Sequence, residues 1–181
     1  MKGFVAVLCA LAFCACNRVD LPEAEKDKDK EVIALPIGVG EGTSERPWTV
    51  EQVLKGAAKP GKAGWVIGYA VGAVYQTLEN PSFETDLTYT SNIILASDSL
   101  CEDATLCVPV ELSTKVMKEG FSIPYNQDCL HQCVMMHGMV GTYFKTKGLR
   151  TCDTGLWLMG FDISSISSLP EEWHEVGAII F

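Results

Sequence analysis

The chain has 181 residues, a formal net charge of -9 at pH 7 and a hydrophobic content of 48%. That acidity argues against sequence-independent binding to phosphate backbones, which depends on Lys and Arg neutralising phosphate charge. Enough apolar residues remain after an N-terminal leader and tether to give one domain of ordinary size a core.

Met1-Lys2 is a short positive start, and Phe4 to Ala15 follows as an apolar run. Such a run has the length of a signal-peptide core and is too short to cross a bilayer as a helix. Leu11-Ala12-Phe13-Cys14-Ala15-Cys16-Asn17 resembles a bacterial lipobox, so residues 1–15 are expected to be a lipoprotein signal peptide and Cys16 the lipidated residue, with Cys14 the alternative. Several acyl chains on one cysteine would anchor the protein firmly to a membrane. The expected address is the outer membrane or cell surface, with a periplasm-facing position as the alternative. Residues 16–45 contain the mixed-charge run Glu23 to Glu31 and read as a disordered tether. Cleavage after Ala15 would remove one charge, that of Lys2, taking the net from -9 to -10.

The globular part, residues 46–181, opens with Pro47-Trp48-Thr49-Val50. Thr49 and Gln52 match a capping box, and Gly56 is the expected stop of a short helix. Gly64 to Val74 reads as a long strand punctuated by glycines. Strand alternation places Trp65, Ile67, Tyr69, Val71 and Ala73 on one face and the smaller Val66, Gly68, Ala70, Gly72 and Val74 on the other. The aliphatic neighbours of Trp65 and Tyr69 predict that the larger face is core. A long loop spans Gln76 to Tyr89, with Phe83 as its anchor. Further strands are expected over residues 91–97, 107–112 and 133–144, near 149–152, over 157–163 and within 173–181. Pro109 marks the third as an edge or bulged strand. Ser113 caps a predicted helix to Glu119, and Lys147-Gly148 is the expected hairpin turn. The sum is a mostly β domain, a small barrel or sandwich with one or two short helices.

Eight cysteines are present, three of them (Cys9, Cys14 and Cys16) in the leader or at the lipid site. Cys101, Cys107, Cys129, Cys133 and Cys152 are the disulfide candidates that an oxidising compartment permits. Five is odd, so one thiol is left over. Cys101 with Cys107 and Cys129 with Cys133 are the pairs suggested by spacing, with Cys152 an alternative partner.

The blocks Gly42-Thr43 to Val50, Gly64 to Gly72, Ser91 to Ala96 and Val108 to Leu112, then Gly138, Val140, Gly141, Tyr143, Phe144 and Gly148-Leu149, follow a recognisable order. Together they resemble a family of OB-fold-like domains of unknown function, found in bacterial envelope lipoproteins and beside secreted nuclease domains. The resemblance covers residues 42 to 153. It implies a five-stranded OB-fold-like barrel and leaves a C-terminal extension from about residue 154. It brings no catalytic residues.

OB-folds bind oligonucleotides and oligosaccharides on the face of strands two and three. Trp65, Tyr69 and Tyr143 are therefore the candidate stacking residues, with Lys145, Lys147 and Arg150 beside them for an anionic strand. Cys129, His131, Cys133 and His137 have soft-ligand chemistry, but in a strand they spread along one face over a span too long for one ion. No metal or other cofactor is expected. Cys133 with His131 or His174 lacks any sequence sign of an activated thiol, and Glu102-Asp103 and Glu171-Glu172 read as solvated turn and helix-start residues. The expected function is that of a non-catalytic, lipid-anchored envelope module binding a glycan, peptide or protein. Single-stranded nucleic acid is the second reading and a Cys/His metal or thiol site the third.

Overall fold

The computed structural model describes residues 40–163 and the strand at 178–180. The proposed signal peptide, Cys16, residues 16–39, Glu171-Glu172 and His174 lie outside the described residues. From Gly40 onward the backbone is tied to the body: Gly40 donates to Gln52 Oε1 at 2.9 Å, and the Trp65 N–H donates to the Gly42 carbonyl at 2.8 Å. No helix among the described residues is long and apolar enough to cross a membrane.

The described residues are mostly β. Strand β1 (Trp48–Thr49) leads into helix α1 (Val50–Lys55), followed by β2 (Ala63–Val74), β3 (Pro81–Ser82), β4 (Asn92–Ala96) and β5 (Val108–Glu111). Helix α2 (Lys115–Phe121) connects to β6 (Cys133–Tyr143), β7 (Thr146–Leu158) and β8 (Ala178–Ile180). The expected capping box forms in full. Thr49 Oγ1 accepts from the Gln52 N–H, Gln52 Oε1 accepts from the Thr49 N–H, and Gly56 ends α1 at φ 80°. Helix α2 starts one residue later than expected and is capped by Thr114, whose hydroxyl accepts from the Met117 N–H at 3.1 Å.

Five strands pair in a ring, β2–β4–β5–β7–β6 and back to β2. Every ring contact is antiparallel except β5 with β7, which is parallel and registered at Val110↔Leu149 alone. Pro109 therefore lies where the ladder on one side of β5 is thin, as a residue without an N–H requires. Past that point β8 pairs with β7, Leu156 opposite Ile180.

Two apolar clusters follow from this ring. The inner one takes Val66, Ala70 and Ala73 from β2, and Ile93, Leu95, Val110, Val134, Met136, Leu149 and Trp157 from the other strands. Met117 and Phe121 of α2, and Val50 and Val53 of α1, pack into it. Trp157 fixes α2: its indole N–H donates to the Gly120 carbonyl at 2.9 Å, and its ring stacks on Phe121 with centroids 5.7 Å apart. The outer cluster contains Ile67, Tyr69, Val71, Val74, Ile94, Ala96, Cys133, Met135, Leu156 and Leu158, with Trp65, Phe83, Phe161 and Ile163 packed on it. The larger face of β2 is thus buried in a second apolar layer, while the smaller face lines the main core. The larger face is core as expected at Ile67, Tyr69 and Val71, but in the outer cluster rather than inside the ring, which the other strands and helices fill.

A register shift between Ala70 and Gly72 also breaks the strict alternation, turning Ala73 inward and Val74 outward. Asn92 repairs the ladder there. Its side chain accepts from the Val74 N–H at 2.8 Å and donates to the Val74 carbonyl at 3.1 Å.

The C-terminal half differs from expectation in two further ways. The hairpin turn is Phe144-Lys145, at φ 47° and 64°, and Lys147-Gly148 lie within β7. Two positive-φ central residues suit a tight hairpin because their twist matches that of the strands. The separate strands expected at 149–152 and 157–163 are one strand, β7, and residues 159–163 leave it.

Gly155 sits where a Cβ would lie 2.5 Å from the Phe121 ring and 2.8 Å from Met136 Sδ. Gly155→Ala is expected to destabilise the fold by about 1–3 kcal/mol through overpacking, read as a lower urea midpoint at unchanged m-value.

Candidate functional site

Strand β6 carries the candidate site because it pairs with β2 on one side and β7 on the other. Trp65 stands opposite His137, and His137 opposite Thr154. The register with β7 then shifts, so that the next aligned pair is Met139↔Arg150. Residues 151–153 thereby bulge opposite Gly138, with Thr151 at φ 48°. A Cβ on Gly138 would lie 2.8 Å from Cys152 Sγ and 2.9 Å from the Arg150 carbonyl oxygen, so the bulge closes only over a glycine.

The bulge brings Asp153 beside His137, with Oδ1 and Nδ1 2.7 Å apart. The His137 ring lies 5.4 Å from the Trp65 ring, centroid to centroid, at 49°. Trp65 is half-buried, the His137 side chain is 28% exposed and that of Asp153 63% exposed. Met139, two residues along β6, is 46% exposed. Partial burial pushes the Asp153 carboxyl up, but hydrogen bonds with His137 and Thr154 outweigh it and hold the group below its ordinary value. The result is an exposed patch with an aromatic ring, an imidazole and a carboxylate held ionised.

The other aromatic candidates do not join it. Tyr69 is in the outer layer, where its hydroxyl donates to Asp162 Oδ1 at 2.9 Å and accepts from the Ile163 N–H at 2.8 Å. Burial, with the Asp162 contact added, pushes the phenol up to about 12. Tyr143 closes the far end of β6, its ring 4.1 Å from that of Phe144 and 5.9 Å from the Arg150 guanidinium carbon. Nor is the face of the second and third ring strands open, since β4 is buried throughout and β5 is buried from Val108 to Val110.

Lys147 and Arg150 carry structural roles, while Lys145 lies in the hairpin turn. Lys147 Nζ donates to the Leu54 carbonyl at 2.6 Å, at the C-terminus of α1 where a cation complements the helix dipole. Arg150 pairs with Glu111 at 3.3 Å, and Glu111 Oε2 also accepts from the Thr151 N–H at 3.1 Å. Partial burial pushes the Glu111 carboxyl up, but the Thr151 and Arg150 contacts prevail and lower it from 4.5.

The Cys/His set diverges. Cys129 belongs to the inner cluster and Cys133 to the outer one, His131 Nδ1 sits 2.6 Å from the Ser99 carbonyl oxygen, and His137 faces Asp153. Among the described residues no three His, Cys, Asp or Glu side chains are placed to share a metal ion. All five body cysteines are free thiols, with no disulfide at bonding distance among the described residues. Cys129 and Cys133 belong to different apolar clusters, and Cys152 is buried beside Gly138. Cys101 and Cys107 approach to 4.0 Å between sulfurs.

Asp153 escapes sequence reading because only the bulge sets it beside His137. An exposed Tyr75, its ring 5.5 Å from that of Tyr89, is a second aromatic pair that the sequence reading did not single out.

Glu111 has a folded pKa below its unfolded one, so its stabilisation is complete above about pH 4.5 and is lost as pH falls through the lower, folded value. Glu111→Gln is expected to be less stable at pH 7 and to lose less stability than the wild type on acidification below pH 4.5, in urea melts across a pH series. Lys147→Gln should cost about 0.5–1 kcal/mol and Lys145→Gln stay within about 0.5 kcal/mol of wild type in the same assay.

No curated protein and no solved structure matches this chain. Residues 48–158 match a family described as Domain of unknown function (DUF6359). The matched segment runs from the first residue of β1 to the last of β7, taking in the whole ring of five strands and the Trp65, His137 and Asp153 patch. The chain is a member of the DUF6359 family.

Proposed function

We propose that this protein is a non-catalytic binding module of the cell envelope, an OB-fold-like barrel held to a membrane by lipid on Cys16, and that its ligand is a glycan. The ring order β2–β4–β5–β7–β6, with α2 between β5 and β6 and a β5–β7 ladder registered at one pair, supports an OB-fold-like reading, since that fold is a partly open five-stranded barrel. The lipobox-like run ending in Cys16 supports the anchor and an outer-membrane or surface address.

The Trp65, His137 and Asp153 patch carries the glycan assignment. A half-buried indole offers a flat apolar face at small entropic cost, and a histidine and a carboxylate beside it offer hydrogen-bond partners for hydroxyl groups. Nucleic acid fits less well. Lys147 and Arg150 are bound to a helix end and to Glu111, and the net charge of -9 repels a phosphate backbone.

The test is binding of the detergent-solubilised full chain to an oligosaccharide array, followed by titration of any hit. Trp65→Ala is expected to weaken binding by about 30-fold or more, the effect of a central aromatic anchor. Lys145→Gln should leave binding unchanged. An array with no hit, or a hit indifferent to Trp65, would sink the assignment. Salt-sensitive binding to single-stranded DNA would install the nucleic-acid reading instead.

A further inference from the structure

A different part of the molecule, independent of the Trp65 patch, carries chemistry of its own. Cys101 and Cys107 flank a short loop at the start of β5. Their sulfurs are 4.0 Å apart, and both thiols donate to one acceptor, the Asp103 carbonyl oxygen, at 3.6 and 3.3 Å. The loop is folded back by a 3-10 turn over Ala104–Leu106. Its cap is Asp103, whose carboxylate accepts from the Thr105 N–H and hydroxyl at 2.9 and 2.7 Å. Two side chains are thus gathered by backbone geometry that does not require a bond between them.

We propose that Cys101 and Cys107 are a local dithiol that oxidises reversibly to a disulfide by exchange with a low-molecular-weight disulfide. This differs from the permanent bridge suggested by spacing, because the loop is already closed by hydrogen bonds with both thiols free. The order of reaction follows from accessibility. Cys101 is half-buried, whereas Cys107 is 1% exposed and packed in the outer layer. Burial first, and the adjacent Cys101 second, push the Cys107 thiol up, so Cys107 serves as the resolving partner.

Cys101 as thiolate attacks one sulfur of the small disulfide, forming a mixed disulfide and expelling one thiolate, which takes up a proton. Cys107 loses its proton and attacks the Cys101 sulfur, expelling the second small thiolate. Two protein thiols are oxidised by two electrons, and one small disulfide is reduced to two thiols. Cys129, Cys133 and Cys152 stay out of the first step because, unlike half-buried Cys101, each is buried away from the small disulfide, and the second step falls to Cys107 because its sulfur lies 4.0 Å from that of Cys101.

The chain has no Lys or Arg between Lys62 and Lys115, so a single tryptic peptide, residues 63–115, contains Cys101 and Cys107 and no other cysteine. The full chain is treated with oxidised glutathione, quenched with iodoacetamide and digested for mass spectrometry. The expected result is that this peptide loses two hydrogens and takes no alkyl group, and that dithiothreitol restores two alkylation sites. Two alkyl groups after oxidation, glutathione remaining on Cys101, or a link to Cys129, Cys133 or Cys152 would each overturn the assignment.

Discussion

The structure depends on burying β2 on both faces. From Val66 to Val74 the strand has apolar layers on both faces and no solvent-facing row, so each side chain there must fit a defined volume. The glycines of β2 make this possible. A Cβ on Gly64 would lie 2.6 Å from the Trp48 ring, one on Gly68 2.8 Å from Val50 Cγ2, and one on Gly72 2.1 Å from the Ser82 carbonyl oxygen. Each glycine marks the place where a different element crosses: β1, the start of α1, and β3. The ring closes around β2 because its inner face is small, and the outer layer forms because its outer face is large.

The long β6–β7 hairpin transmits this arrangement to the surface. One side of β6 is bound to β2, which leaves β7 to absorb the mismatch in length and twist, and it does so in the bulge at residues 151–153. That single irregularity sets the Thr151 N–H on Glu111 and Asp153 on His137. It therefore links ring closure at the short β5–β7 ladder to the chemistry of the exposed patch. The basic residues of the hairpin are drawn into the same work, Lys147 at the end of α1 and Arg150 on Glu111. A cluster of positive charge in sequence becomes a set of local struts in space.

Features governed by near neighbours were legible in the sequence. Thr49, Gln52 and Gly56 define α1 because a capping box and a left-handed stop need no tertiary information. The strands at β2, β4, β5 and β6 were legible from alternation and β-branched content, and Phe83 as a loop anchor from its isolation among polar residues. The Phe144-Lys145 turn was hidden, since neither residue favours positive φ and the more conventional Lys147-Gly148 lies nearby. The continuity of β7 was hidden for the related reason that a bulge looks, in sequence, like a gap between two strands.

By itself the sequence determined the caps of α1, the strands at β2, β4, β5 and β6, the mostly β character and the length and composition of the strand at the centre. Those properties follow from local propensity and from the period-two alternation of a strand. Tertiary structure alone decided which face of β2 looks inward, that Asp153 reaches His137, that Lys147 and Arg150 are engaged, and which thiols approach one another. Those outcomes depend on strand partners far apart in the chain and on volumes contributed by elements the strand does not adjoin in sequence. Alternation reveals that a strand has two faces, but only packing assigns one of them to the core.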